Sequence, residues 1–88
     1  MLLHEWLRLN KLTTADFATK IGGGYSPFAV GKWARGERIP RFHAMRRIAE
    51  ATGGQVQAAD FVEANSIWRQ RGEERRQDAP PAGPAEAA

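Results

Sequence analysis

The stretch Thr13-Thr14-Ala15-Asp16-Phe17-Ala18-Thr19-Lys20-Ile21-Gly22-Gly23-Gly24-Tyr25-Ser26-Pro27-Phe28-Ala29-Val30-Gly31-Lys32-Trp33-Ala34-Arg35-Gly36 decides the fold. It reads as two short helices joined by a glycine turn. Thr13 and Asp16 are spaced as a capping box, in which the Thr hydroxyl accepts from the Asp amide and the carboxylate reaches back to the Thr amide. Phe17, Ala18 and Ile21 supply the buried stripe of the first helix. The three glycines end it, since glycine readily takes the left-handed termination. Ser26 is a good N-cap, and Pro27 suits the first helical position, where no amide hydrogen is needed. Val30 and Trp33 point inward, Pro27, Phe28, Gly31 and Lys32 point away with Ala29 and Arg35 beside them, and Gly36 closes the helix.

Outward from this pair the same pattern continues. Leu2 to Asn10 reads as a helix with Leu3, Trp6 and Leu7 on one face and Leu2 and Leu9 off it. A fourth helix follows Pro40 and runs to about Thr52, with Phe42, Met45, Ile48 and Ala49 as its apolar stripe. Gly53-Gly54 ends it. A fifth starts near Ala58, carries Phe61, Val62, Asn65 and Trp68, and is expected to fray beyond Gly72. No run of β-branched residues alternates with polar ones, so strands are not expected. From Gln77 onward, three prolines and a glycine among small residues cannot build a core, and 77–88 is expected to be a disordered tail behind a single domain of residues 1–76.

With 88 residues, 42% of them hydrophobic and 26% charged, the chain has the composition of one small globular domain. A core this small rarely encloses a deep substrate cleft, which argues against a stand-alone enzyme. Cysteine is absent, so disulfides, Cys-ligated zinc, iron–sulfur clusters and a thiol nucleophile are excluded. His4 and His43 have no metal-like partners near them in sequence. His4 and Glu5 are helix neighbours whose side chains point apart. Gly22-Gly23-Gly24 lacks the preceding strand and the Gly-Lys-Ser/Thr ending of a phosphate loop. Ser26 has no nearby base and is explained by capping. No catalytic residue, metal or cofactor is therefore expected. The first residues lack a signal peptide's basic start and apolar run, and no stretch approaches the ~20 apolar residues of a membrane span. A cytoplasmic location without membrane attachment is the expectation.

The net charge of +3 is unevenly placed. From Lys20 to Arg47 seven basic residues (Lys20, Lys32, Arg35, Arg38, Arg41, Arg46 and Arg47) stand against Glu37 alone. Such a segment suits a polyanionic partner, although a solvated basic face without a partner has the same composition. Arg46 and Arg47 in particular fit either description. Three roles are open to Phe28: contact with DNA, with a partner, or with the core.

The residues Leu12 to Gly22 and Ser26 to Pro40 resemble the Cro-type helix-turn-helix family, which includes phage repressors and many bacterial regulators. Ala18, Gly22, Val30, Trp33, Gly36 and Pro40 carry the match, and Ile48 to Val56 resembles the end of the fourth helix in phage-type members. The likeness covers about residues 3–65. Thr14 stands where a Gln is usual, Gly31 where a polar residue is common, and the interval from Gly22 to Trp33 is two residues longer than the family's. The resemblance implies an all-α, compact five-helix lambda repressor-like domain. It also implies a transcriptional regulator, of phage or mobile-element repressor type, that binds a palindromic operator in double-stranded DNA as a homodimer.

On that resemblance Pro27, Phe28 and Lys32 match base-reading positions. Arg35, Arg38 and Arg41 match a backbone-clamping loop, with Thr14 at the start of the preceding helix. The capped helix starts at Thr13 and Ser26 suit phosphate contact by physics alone, since helix amino-termini present free amides and partial positive charge. The spare apolar residues Leu2, Leu9 and Trp68 are the expected dimer interface. An alternative is an antitoxin-like interaction module that uses the same fold for protein contacts, through the tail or helix five.

Overall fold

The structure, a computed structural model, describes residues 1–78, with side chains as far as Glu74. Five helices follow one another: α1 (Leu3–Leu9), α2 (Thr14–Ile21), α3 (Pro27–Arg35), α4 (Phe42–Ala51) and α5 (Ala58–Asp78). The described residues contain no strand. Helix α5 takes in Gln77 and Asp78, the first two residues of the expected tail, and the rest of that tail lies outside the described residues.

The two caps read from sequence are formed. The Asp16 amide donates to Thr13 Oγ1 at 3.1 Å, and the Thr13 amide donates to Asp16 Oδ2 at 3.2 Å. The Ala29 amide donates to Ser26 Oγ at 3.1 Å, with Pro27 in the first turn of α3. Between them Gly22, Gly23 and Gly24 all have φ between +67° and +79°, a left-handed run that only glycine adopts without strain.

Helix α3 is the hub. It shares with α2 the most extensive interface of any helix pair and also packs on α1 and α5. Val30 and Trp33 are buried together with Phe17, Ala18 and Ile21 of α2, Leu3, Trp6 and Leu7 of α1, Ala44 and Ile48 of α4, Val56, and Phe61 of α5. Two edge-on aromatic pairs sit in this cluster, Trp6 on Phe17 at 5.6 Å and Tyr25 on Trp33 at 5.2 Å. Buried Thr52 is satisfied locally: its hydroxyl donates to the Ile48 carbonyl at 2.8 Å and accepts from the Val56 amide at 3.2 Å.

Two residues depart from the face expected of them. Phe42 is 71% exposed rather than part of the α4 stripe. At 100° per residue it lies about 120° from Ile48, and the arc that faces the core runs through Ala44, Met45, Ile48 and Ala51. Val62 is 58% exposed for the same reason, since the inward arc of α5 is Phe61, Ala64 and Trp68, with Val62 about 100° from Phe61. Gly31 is buried although it points away from the core, because the Arg35 guanidinium folds back over it.

The end of α3 is fixed by its closest approach to α5. Gly36 has φ +82°, and a Cβ there would collide with the Ala64 carbonyl oxygen. Asn65 Nδ2 donates to the Gly36 carbonyl at 2.9 Å, closing the same junction from the next residue. Gly36→Ala therefore combines left-handed strain with a backbone clash and is expected to cost ~2–4 kcal/mol. Urea unfolding followed by circular dichroism checks this. A loss below ~0.5 kcal/mol would mean that the α3–α5 junction is looser than described.

Candidate functional site

The exposed side of α3 lies opposite Val30. Phe28 and Lys32, one turn apart, occupy it, and Phe28 is 74% exposed. Lys32 Nζ stands 5.4 Å from the centroid of the Phe28 ring, a cation–π pair that orients both side chains. At the start of the helix, Pro27 has no amide hydrogen, the Ala29 amide is taken by Ser26 Oγ, and the Val30 amide by the Ser26 carbonyl at 3.2 Å. The first-turn amide left to an outside acceptor is that of Phe28. The Ser26 hydroxyl accepts in the cap and keeps its own hydrogen to donate.

Beside this face a cleft of about 530 Å³ separates α3 from the start of α4. Tyr25, Ala29 and Trp33 form one wall, and Arg38, Ile39, Pro40, Arg41, His43 and Ala44 form the rest. Arg38 and Arg41 are exposed, and Arg41 sits at the N-cap of α4 with no side-chain cap bond. The first turn of α4 carries no acidic residue. Thr14, at the start of α2, is half-buried.

The sequence-predicted backbone contacts divide. Arg38 and Arg41 share the cleft. Arg35 does not join them: it pairs with Glu37 at 3.1 Å and lines a separate groove toward α1 and α5. That groove, about 570 Å³, brings together Leu2, Ile67 and Trp68, with His4, Glu5 and Arg71 at its edge. Two of the three expected interface residues, Leu2 and Trp68, thus meet in one place. Leu9, 66% exposed at the end of α1, is not among the groove's residues.

Two residues that position the site were not singled out for that role from sequence. Arg47 Nη1 donates to the Ile21 carbonyl at 3.0 Å, and its guanidinium lies against Gly22 and Gly23. It caps the end of α2 and braces the enlarged turn that leads into α3. Its neighbour Arg46 instead reaches along its own helix toward Glu50 at 3.7 Å. The other is Asn65, whose bond to Gly36 holds the far end of α3. An Asn among the inward residues of α5 was the available signal.

Loss of the Arg47 bond leaves an orphaned carbonyl in a part-buried position, and Arg47→Ala is expected to cost about 1–2 kcal/mol. Arg46→Ala should stay within ~0.5 kcal/mol, as an exposed pair does. Parallel urea melts of the two variants check the difference, and equal losses would remove the bracing role.

Among the described residues no helix is long and apolar enough to cross a membrane. Compared with protein-family models, curated proteins and solved structures, the chain finds no match.

Proposed function

We propose that this chain is a sequence-specific double-stranded DNA-binding regulator built on a lambda repressor-like, Cro-type helix-turn-helix. In this reading α2 and α3 form the motif, and α3 enters the major groove by its amino-terminal end. A groove about 12 Å wide admits one helix, and the residues at the start of that helix meet the base edges. The observation that carries the reading is the outward face of α3. A helix start with an exposed Phe28 oriented against a half-buried Lys32 stands beside a cleft holding Arg38 and Arg41.

Lys32 supplies a cation suited to guanine O6 and N7, and Phe28 and Pro27 supply apolar contact for a thymine methyl. Arg38 and Arg41 take phosphates, together with the free Phe28 amide, the Ser26 hydroxyl and Thr14. Arg35, already paired with Glu37, takes a lesser part. Repression from a palindromic operator follows if two chains bind. A single module this small contacts too little DNA for high specificity, and the groove holding Leu2 and Trp68 is the self-complementary patch a symmetric dimer uses. The same groove also supports a second reading, an antitoxin-like module in which another protein, not a second copy, occupies it.

Binding is expected to be strongly salt-dependent. Two protomers contacting about four phosphates each neutralise roughly eight, so log K should fall against log salt with a slope near −7. Arg38→Ala and Arg41→Ala should each weaken binding to every sequence and flatten the slope by about 1–2. Fluorescence anisotropy across a salt series measures this, and sedimentation of the complex reports whether two chains bind. An unchanged slope in both variants, or one chain per operator, would remove the clamp or the dimer respectively.

Sequence discrimination is expected to rest on at least one guanine and one thymine in each half-site. Arg, Asn and Gln are absent from the exposed start of α3, so bidentate base pairs worth roughly 1–3 kcal/mol each cannot be made there. Lys32→Ala should relax the preference at the guanine, and Phe28→Ala should relax it at the thymine, where uracil mimics the loss. A base-substitution scan with the wild type and both variants decides it. Equal losses at every base would mean that α3 positions the protein without reading it.

A further inference from the structure

Tyr25 and His43 line the cleft of Arg38 and Arg41, and they also line a second pocket, of about 480 Å³, that adjoins it. Gly23 of the glycine turn and Arg46, Arg47 and Glu50 of α4 complete this second pocket. His43, Arg46, Arg47 and Glu50 fall at i, i+3, i+4 and i+7, so a single exposed stripe of α4 faces the turn.

The pocket is rich in donors that lack acceptors. The amides of Gly23, Gly24 and Tyr25 donate to no acceptor among the described residues. Neither do the Tyr25 hydroxyl and the His43 imidazole, whose rings meet Trp33 and Phe42. Arg47 Nη1 bonds the Ile21 carbonyl, and the rest of its N–H fork makes no bond among the described residues. The carboxylate of the pocket, Glu50, lies 3.7 Å from Arg46, which offsets it. Arg47 is thus left as a charge with no ion pair among the described residues.

These donors are also held in place. A Cβ on Gly23 would stand 2.9 Å from Tyr25 Cε2 and 3.0 Å from Arg47 Nε, so the turn threads between ring and guanidinium as bare backbone. Tyr25 is pinned in turn by its edge contact with Trp33 at 5.2 Å. Donors fixed before the ligand arrives lower the ordering cost of binding.

We propose that this pocket is a phosphate seat. The tetrahedral oxygens of a phosphate accept from several directions at once, here from the turn amides, the Tyr25 hydroxyl, His43 and Arg47. A carboxylate offers two oxygens in one plane and matches such a spread of donors less well. A nucleic-acid strand running on from Arg38 and Arg41 carries this group, and so does a free phosphomonoester. The seat itself does not rest on the DNA-binding reading. Because Arg47 also bonds Ile21, whatever fills the seat bears on the turn that leads into α3.

Two-dimensional NMR of the full chain, titrated with inorganic phosphate at an ionic strength held constant with chloride, tests the seat. The Gly23, Gly24 and Tyr25 amides should shift and saturate in the millimolar range while α1 stays unmoved. Tyr25→Phe keeps the ring and should weaken phosphate binding about threefold, and Glu50→Gln should tighten it about threefold. Arg38→Ala should leave it unchanged. Circular dichroism verifies that each variant folds. Repeating the titration on protein bound to a duplex selected from a random pool identifies the source. If a strand fills the seat, the duplex moves the turn amides and added phosphate no longer does; if a free phosphomonoester fills it, the phosphate shifts persist on the duplex. Both results support the seat. Shifts that never saturate, or equal phosphate affinity in wild type, Tyr25→Phe and Glu50→Gln, overturn it and leave the DNA reading standing. A wild type that saturates with phosphate but enriches no duplex overturns the DNA reading and keeps the seat.

Discussion

The backbone of α3 ends against α5 at a contact that tolerates no side chain. Gly36 turns left-handed directly under the Ala64 carbonyl, and Asn65 bonds the Gly36 carbonyl from the same side. At the other end Ser26 and Pro27 fix the first turn, and the braced glycine loop fixes the path into it. With both ends held and Val30 and Trp33 buried on the inner side, the rotation of α3 about its own axis is set. The direction in which Phe28 and Lys32 point is thus a consequence of packing some distance away. A domain with so small a core has few other means of presenting a rigid surface.

The basic residues divide into distinct tasks. Arg47 is spent on structure, satisfying the end of α2, and Arg35 is held by Glu37 over Gly31. Arg38 and Arg41 remain in the cleft beside the exposed start of α3. Long-range attraction for a polyanion is screened beyond about 10 Å at ordinary salt, so in the proposed role affinity would depend on the few cations that reach phosphates directly. Net charge alone understates this local concentration. On another side of the molecule, Leu2, Ile67 and Trp68 gather in a groove better suited to a protein surface. Ala34 and Arg35 line that groove as well, so it adjoins the last turn of α3.

Local chemistry was legible in the sequence and tertiary geometry was less so. The capping box at Thr13–Asp16, the Ser26-Pro27 start and the glycine terminators act within a few residues, and each is found where the residue types place it. The inward pairing of Val30 with Trp33 follows from helical spacing alone. Phe42 and Val62 were misplaced because both occur near a helix start, where an apolar residue one step off the stripe is hard to assign to a face. Gly31 faces outward as expected, and only a three-dimensional view shows Arg35 lying over it. Arg47 and Asn65 bond to residues 26 and 29 positions away, and no local spacing predicts such partners. In the candidate site, Phe28, Lys32, Arg38 and Arg41 were nameable from the chain. Their division into an outward helix face and a cleft, with Arg35 apart, was not.

The central claim is that the outward face of α3 and the adjoining cleft form one DNA-binding surface. Amide chemical-shift mapping by two-dimensional NMR, with a duplex selected from a random pool titrated in, tests it most directly. Shifts are expected to concentrate at Thr14, at residues 26–32 and at residues 38–43, with little change at Arg35 or along α1. Perturbations centred on Leu2, Ile67 and Trp68, with Phe28 and Lys32 unmoved, would contradict the account.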